Sequence, residues 1–305
     1  MKLIDLKASS NIKIFEGIDK GWSADKKYYI ETSDRQRLLI RTASIDQFDY
    51  KRTEYEKMAE VFSLGVPMSE PIDFACDEEK VYSLFTWLDG EEAETVLPSL
   101  SSSRQYELGL DAGRLLKKIH SISAPIETEE WETKFSRKID RNIHNYQTCP
   151  LKYEKGDAIL RYIEANRHLI KNRPSVFQHG DYHTGNMILS TTEQLGIIDF
   201  NRWDEGDPWE EFNRIDFTAE LSPNFAAGQI DGYFENEPSE EFFKLLALYI
   251  AVNLLNALPW ALAYSEEEVI VMQKKAVAVL NWFGDMQNVV PKWYRSKMNS
   301  HLNDR

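Results

Sequence analysis

A chain of 305 residues with a formal net charge of −14 can bury a sizeable core and divide into two domains. The acidic balance speaks against a nucleic-acid partner, which needs clustered Lys and Arg; it suits a cationic small substrate, although a solvated acidic surface gives the same number. Cys76 and Cys149 are too few for a disulfide scaffold and read as reduced thiols of a cytoplasmic protein, and the first residues lack the apolar run of a signal peptide.

In chain order, residues 28–31 and 37–41 read as strands flanking a polar hairpin loop at 32–36. Just upstream, Gly21-Trp22-Ser23 has the composition of a turn able to cover a phosphate. Residues 46–64 carry helical periodicity, with Tyr55, Met58, Ala59 and Phe62 on the apolar face and Gly65 as the stop. Residues 81–90 read as a strand ending in an acidic turn. Helices then dominate. Residues 102–120 open on a capping box of Ser102 with Gln105 and bury Leu108, Ala112, Leu115, Leu116 and Ile119. A further helix covers 157–170, and Ser265 with Glu268 opens another. Residues 245–264 are long and apolar enough to span a bilayer. Asn253, Asn256 and Pro259, without a flanking basic cluster, favour instead a buried helix that kinks or stops before Pro259, and no membrane partner. The sum is an α+β chain with a small sheet-containing part and a larger helical part.

The chemistry concentrates in His179-Gly180-Asp181-Tyr182-His183-Thr184-Gly185-Asn186 and Ile197-Ile198-Asp199-Phe200. Phosphoryl transfer needs one carboxylate to orient a hydroxyl, and oxygen ligands for magnesium. Residues 186–190 and 195–199 alternate as strands around the polar loop 191–194, which predicts a hairpin. Pairing Ser190 with Leu195 places Asn186 opposite Asp199, with Cβ atoms about 4.5–5.5 Å apart. From there both can reach one Mg²⁺ at roughly 2.0–2.1 Å. A slip of one residue would send one ligand to the other face.

These residues resemble the catalytic loop of the aminoglycoside phosphotransferase and choline kinase-like family, H-G-D-x-x-x-x-N followed by I-D-F, and more distantly the corresponding pair of protein kinases. The resemblance implies a bilobal protein-kinase-like fold. A β-sheet N-lobe over 1–87 would bind nucleotide, and a mainly helical C-lobe over 88–305 would carry the catalytic loop, metal ligands and substrate pocket. It implies Asp181 as catalytic base, Asn186 and Asp199 as Mg²⁺ ligands, and His179 as a support of the loop. ATP or GTP would be the donor, with Gly21 and Ser23 over its phosphates. By the family's pattern Arg41 falls where a Lys usually meets the phosphates, and Glu54 orients it. Arg and Lys are not interchangeable at such a site, yet Arg remains a bidentate phosphate partner. The backbone near Thr86 and Leu88 would receive the base. In the same frame Asp207 fixes a turn and Pro208 starts the following helix. His183 reads as a hydrogen-bonded support. Asp204, Glu205, Glu210 and Glu211 could bind a cationic substrate, but a solvated charged turn is the better reading for most of them.

The resulting expectation is a Mg²⁺-dependent small-molecule kinase acting on a hydroxyl of an aminoglycoside-like or amino-alcohol substrate. The competing class is a non-catalytic kinase-like protein that holds a nucleotide or ligand, motivated by Arg41.

Overall fold

The computed structural model describes residues 11–19, 25–125 and 128–294. The strands are β1 (Ile12–Ile18), β2 (Lys26–Thr32), β3 (Arg37–Ser44), β4 (Pro71–Cys76), β5 (Lys80–Thr86), β6 (Glu91–Glu92), β7 (Val176–Gln178), β8 (Met187–Leu189), β9 (Leu195–Ile197) and β10 (Asp204–Gly206). The main helices are α1 (Phe48–Ser63), α2 (Ser102–Ile119), α3 (Trp131–Thr148), α4 (Gly156–Asn166), α5 (Ile215–Leu221), α6 (Pro223–Phe234), α7 (Glu240–Tyr264) and α8 (Glu266–Trp282).

Two compact units divide these elements. One ends at Val96 and also takes Gly185–Trp203; the other takes Leu97–Thr184 and the chain from Asp204 onward.

The first unit is built on a five-stranded antiparallel sheet in the order β1-β2-β3-β5-β4. Strand alternation gathers Ile30, Leu38, Ile40 and Leu84 into a buried cluster, with Ile12, Ile72, Ala75 and Tyr82 packed against it. Helix α1 lies on β3, β4 and β5. Its buried face is Lys51, Glu54, Met58 and Val61. Of the stripe expected from periodicity, Met58 is buried and Tyr55 half-buried, whereas Ala59 and Phe62 are exposed. A hydrophobicity pattern misreads this face because two of its buried members, Lys51 and Glu54, are charges that pair with each other and with Asp25 and Arg41 outside the helix. Gly65 ends the helical stretch at φ +72°.

A second, three-stranded sheet in the order β6-β8-β9 completes this unit. It attaches the 187–197 hairpin to the unit's earlier residues: Glu91 pairs with Leu189, and the Ile197 N–H donates to the Pro67 carbonyl at 2.8 Å. The boundary therefore differs from a single cut at 87/88. The first unit continues to Val96 and reclaims the hairpin, because strand pairing ignores sequence distance.

The second unit is helical, with a two-stranded β7–β10 sheet. Helix α7 runs through its core, packed by α3, α4 and α8. Its most apolar window is 67% buried within the protein by packing of neighbouring helices, whereas Trp260, Leu262 and Tyr264 at its end are exposed. The helix does not stop before Pro259; it continues to Tyr264, and the Ser265 N–H donates to the Ala261 carbonyl. A proline near a helix end removes one donor within the chain's last turns, and packing along the preceding turns holds the helix together. Buried polar side chains also use α7's carbonyls: Asn142 Nδ2 donates to Val252 O at 3.0 Å and Tyr153 Oη to Leu254 O at 2.9 Å.

Helix α2 begins one residue earlier than the capping-box reading. Ser101 Oγ accepts from the Arg104 N–H, and the Gln105 amide donates to the Leu97 and Leu100 carbonyls instead of closing a box. The expected cap at Ser265 forms, with the Glu268 N–H as its donor. Helices α2 and α6 cross at contact distance through Gly109 and Gly113 on one and Gly228 and Gly232 on the other. A Cβ at any of the four would overlap a backbone carbonyl oxygen across the crossing: that of Phe225, Gln229, Tyr106 or Leu110 respectively. An exposed helical Gly→Ala change ordinarily stabilises by up to about 1 kcal/mol. Here the sign reverses. Gly113→Ala and Gly228→Ala are each expected to cost about 1–3 kcal/mol through forced separation of the helices. The check is the urea midpoint at unchanged slope.

Candidate active site

The second unit presents the His179–His183 loop at the end of β7. Gly180 turns it at φ +82° and donates its N–H to the Glu211 carboxylate at 3.0 and 3.2 Å. His179 is fully buried, and its Nδ1 accepts from the Asp181 N–H at 3.2 Å. Tyr182 donates its hydroxyl to the Ala112 carbonyl of α2 at 2.7 Å. Burial, then the nearby Glu211 charge, push the Tyr182 pKa far above the usual phenol range, so this hydroxyl stays a neutral donor. With His179 and Tyr182 buried, the half-buried Asp181 is held at the loop's surface. Arg214 Nε lies 3.3 Å and His183 Nε2 3.7 Å from its Oδ1. His183 is thus a neighbour of the carboxylate.

Glu210 and Glu211 are not the solvated residues expected. Both are buried: Glu210 pairs with Lys138 at 2.8 Å, and Glu211 receives the loop amide, with His120 Nε2 at 3.6 Å. Their partners, Lys138 of α3 and His120 just past α2, are distant in sequence, which no local pattern reveals. Asp207 is fully buried and does fix a turn, accepting the Trp209 N–H at 3.0 Å. Pro208 lies in that turn, and the helical segment starts two residues later, at Glu210–Arg214. Arg173 grips Asp207 with Nε at 2.8 Å and Nη2 at 2.9 Å while its guanidinium stacks 3.8 Å over the Trp209 ring, and the Tyr249 hydroxyl adds a further donor.

The first unit carries the other motif residues. The hairpin register differs by one from the expectation: Leu189 pairs with Leu195, Ser190 faces Gln194, and Asn186 accepts from the Ile198 N–H at 3.0 Å. The cause is the loop, which has three residues, with Glu193 at φ +60°, and is tied by Ser190 Oγ to Thr192 Oγ1 and the Gln194 N–H. Asp199 therefore lies one residue beyond direct opposition to Asn186. It leaves the strand direction altogether, at φ +66°, ψ +61°. A left-handed aspartate costs of order 1 kcal/mol and marks a position held by its surroundings. Asp199 Oδ2 receives Lys27 Nζ at 3.3 Å, whereas Oδ1 is buried with no hydrogen-bond partner.

An orphaned buried carboxylate oxygen and an amide side chain at the start of the paired strand are hard oxygen donors of the kind Mg²⁺ takes. Among the described residues no group of three His, Cys, Asp or Glu forms a cage. Mg²⁺ does not require one, since it binds through one or two protein ligands plus phosphates and water. The residues fit the ion.

Arg41 and Glu54 meet as expected, Nη1 to Oε1 at 2.8 Å, but inside a larger cluster. Arg41 Nη2 also reaches Asp25 Oδ2 at 2.8 Å. Lys51 Nζ lies 2.8 Å from both Asp25 Oδ2 and Glu54 Oε2. Two cations and two anions close a ring whose side chains are each 4–8% exposed. Burial alone would lower the Arg41 pKa, but the charges of Glu54, Asp25 and Asp199 outweigh it and raise it. Asp25, Lys51 and Lys27 escaped the sequence reading because each looks like an ordinary surface charge until the fold pairs it.

Thr86 spends its N–H on the Glu70 carbonyl at 3.0 Å, so that amide is committed within the protein. Leu88 lies past the last β3–β5 pair and packs on Gly196, where a Cβ would meet its side chain. Gly21 and Ser23 lie outside the described residues.

Residues 14–243 match the model of a family described as a phosphotransferase enzyme family. No curated protein sequence matches the chain. Solved structures share the fold. A thermostable mutant of aminoglycoside phosphotransferase APH(4)-Ia, in ternary complex with AMP-PNP and hygromycin B, is 14% identical, with a TM-score of 0.65 over 91% of this chain and 96% of that one. Amicoumacin kinase hAmiN, in complex with AMP-PNP, Ca²⁺ and Ami, is 12% identical, with a TM-score of 0.63 over 96% of both chains. Spectinomycin phosphotransferase APH(9)-Ia, with ADP and its antibiotic, is 15% identical at a TM-score of 0.61 over 87% and 88%.

Replacing Arg173 with Met should strand the Asp207 carboxylate in the core and lower stability by about 3–5 kcal/mol. The expected readout is a large fall in thermal midpoint, and Arg173→Lys should recover only part of it, having no fork to match both oxygens.

Proposed function

The chain belongs to the phosphotransferase enzyme family, and from that premise we propose that it transfers the γ-phosphate of ATP or GTP, with Mg²⁺, to a hydroxyl of a small amine-bearing acceptor of the aminoglycoside or amino-alcohol type. The observation that carries the reading is Asp199: a left-handed, half-buried carboxylate with one oxygen buried and unpaired, thirteen residues beyond Asn186 in the motif that also holds Asp181. The fold relatives bound to AMP-PNP or ADP together with antibiotics support a nucleotide donor and a small acceptor.

In this reading Asp181 accepts a hydrogen bond from the acceptor hydroxyl and takes its proton as oxygen attacks phosphorus. The bond from the γ-phosphorus to the bridging oxygen breaks, and that oxygen leaves with the nucleoside diphosphate. Arg214 and His183, both close to Oδ1, restrict how the Asp181 carboxylate can turn. Asn186 and Asp199 would hold Mg²⁺, which when bound neutralises phosphate charge. Arg41 and Glu54 belong to the phosphate side of the reaction as members of the buried ring. The acidic surface, at net −14, suits a cationic acceptor.

The test is transfer of label from γ-labelled ATP and GTP, with Mg²⁺, to pooled aminoglycosides, amino alcohols and a metabolite extract. Asp181→Asn is expected to reduce transfer by about three orders of magnitude with an unchanged thermal midpoint. Label transfer at the wild-type rate by that variant removes Asp181 from the mechanism. Chelating the divalent ion should abolish transfer and restoring Mg²⁺ should recover it, while Asp199→Asn should not recover at any Mg²⁺ concentration that saturates wild type. Nucleotide binding without transfer to any acceptor would instead favour a non-catalytic binding protein.

A further inference from the structure

The family pattern places its phosphate-contacting cation at residue 41. We propose that in this chain Lys27 of β2 makes that contact, and that Arg41 is a positioning residue locked into the sheet–helix junction. The proposal rests on the nucleotide reading above and concerns which side chain meets the phosphates.

Arg41 is already committed. Both terminal nitrogens of its guanidinium are paired at 2.8 Å, one to Glu54 and one to Asp25, and its remaining Nε is buried without a partner. Lys51 bridges the same two carboxylates at 2.8 Å each. The ring balances two positive charges against two negative ones. Drawing Arg41 out to a phosphate would leave two buried carboxylates sharing one ammonium, a strongly unfavourable state. An arginine suits this place better than a lysine, since its planar fork reaches two separate carboxylates at once.

Lys27 is the residue directly across from Arg41 in the β2–β3 ladder, so the two share a face of the sheet. Its side chain is 16% exposed, about twice Arg41's 8%, and its ammonium contacts Asp199 Oδ2 at 3.3 Å. An ammonium carries three donors, so this contact leaves capacity for another acceptor. Lys27, a cation that is not part of the buried ring, is therefore the one touching the carboxylate proposed to hold the metal. The remaining donors of the Lys27 ammonium can therefore meet a phosphate oxygen while its contact with Asp199 is kept, so the phosphate contact does not depend on a metal; a metal held by Asp199 would relieve part of that pairing. The charge that the pattern places on β3 is supplied one strand away, and the β3 position becomes structural.

The experiment measures equilibrium binding of ATP, GTP and the matching nucleosides to the full chain in chelator, without divalent metal, alongside thermal midpoints. Lys27→Ala is expected to weaken binding of the accepted nucleotide about tenfold or more, with nucleoside binding and midpoint unchanged, because only the charge-assisted phosphate contact is lost. Lys27→Arg should restore most of the loss. The same loss should persist in an Asp199→Asn background, which separates a phosphate contact from simple neutralisation of Asp199. Arg41→Lys should lower the midpoint and alter nucleotide affinity less than Lys27→Ala does. Wild-type nucleotide affinity in Lys27→Ala, or disappearance of its effect in the Asp199→Asn background, would overturn the assignment. So would a larger affinity loss in Arg41→Lys at unchanged midpoint. A wild-type chain that binds nucleosides but gains nothing from their phosphates would also count against it. Binding of neither nucleotide nor nucleoside by wild type would sink the nucleotide reading and this assignment with it.

Discussion

A charge taken out of water must be met by an opposite charge in the right place, and both units of this protein are organised around that requirement. In the first, Asp25, Arg41, Lys51 and Glu54 close a ring that ties β3 to α1 and draws in the residue just before β2. In the second, Arg173 and Tyr249 meet Asp207 at 0% exposure, and Glu211 receives the Gly180 amide. Breaking one partner in either set leaves a buried ion, so these contacts define geometry as much as they contribute stability. The face of α1 follows directly, for it buries Lys51 and Glu54 ahead of the apolar Phe62.

Backbone conformation does comparable work at the motif. Gly180 in the left-handed region turns the loop so that His179 and Tyr182 are buried while Asp181 stays half-exposed between them. On the hairpin, a three-residue loop sets the register and a left-handed Asp199 ends it. A strict two-residue alternation would have sent a side chain one position out of register to the opposite face. The helical backbone conformation at Asp199 breaks that alternation, so register alone does not decide its direction. The strain is a local cost of the kind found where the surroundings hold a side chain in one place.

The anchoring of the loop reaches far into the second unit. Tyr182 bonds the carbonyl of Ala112, on the helix whose Gly109 and Gly113 allow α6 to cross at backbone contact. Packing of α2 against α6 thus sets the height at which Asp181's neighbours are held. At 12–15% identity to solved kinases of this fold, what is shared is the backbone frame. Choice of acceptor depends on side chains outside that frame.

Reading the chain in one dimension was enough for the α+β class, most helices, the Ser265 cap, the hairpin and the family to which the motif at 179–200 points. These signals are local: turn composition, periodicity of apolar residues, and a short pattern whose spacing is itself the chemistry. The Arg41–Glu54 pair came from a family pattern, since a lone strand arginine and a helix glutamate carry no mark of burial. What folding alone settled are the partners of buried charges and the fine register. Lys27 and Asp199 are 172 residues apart. Asp25 meets Lys51 across 26 residues, Arg173 meets Asp207 across 34, and the hairpin slid by one when Glu193 took a left-handed turn. A one-dimensional reading scores each charge by its neighbours in the chain. Whether a carboxylate is solvated, paired or left open for a metal depends on which distant residues the sheet and helices bring to it, because Coulombic pairing follows distance in space and not distance along the chain.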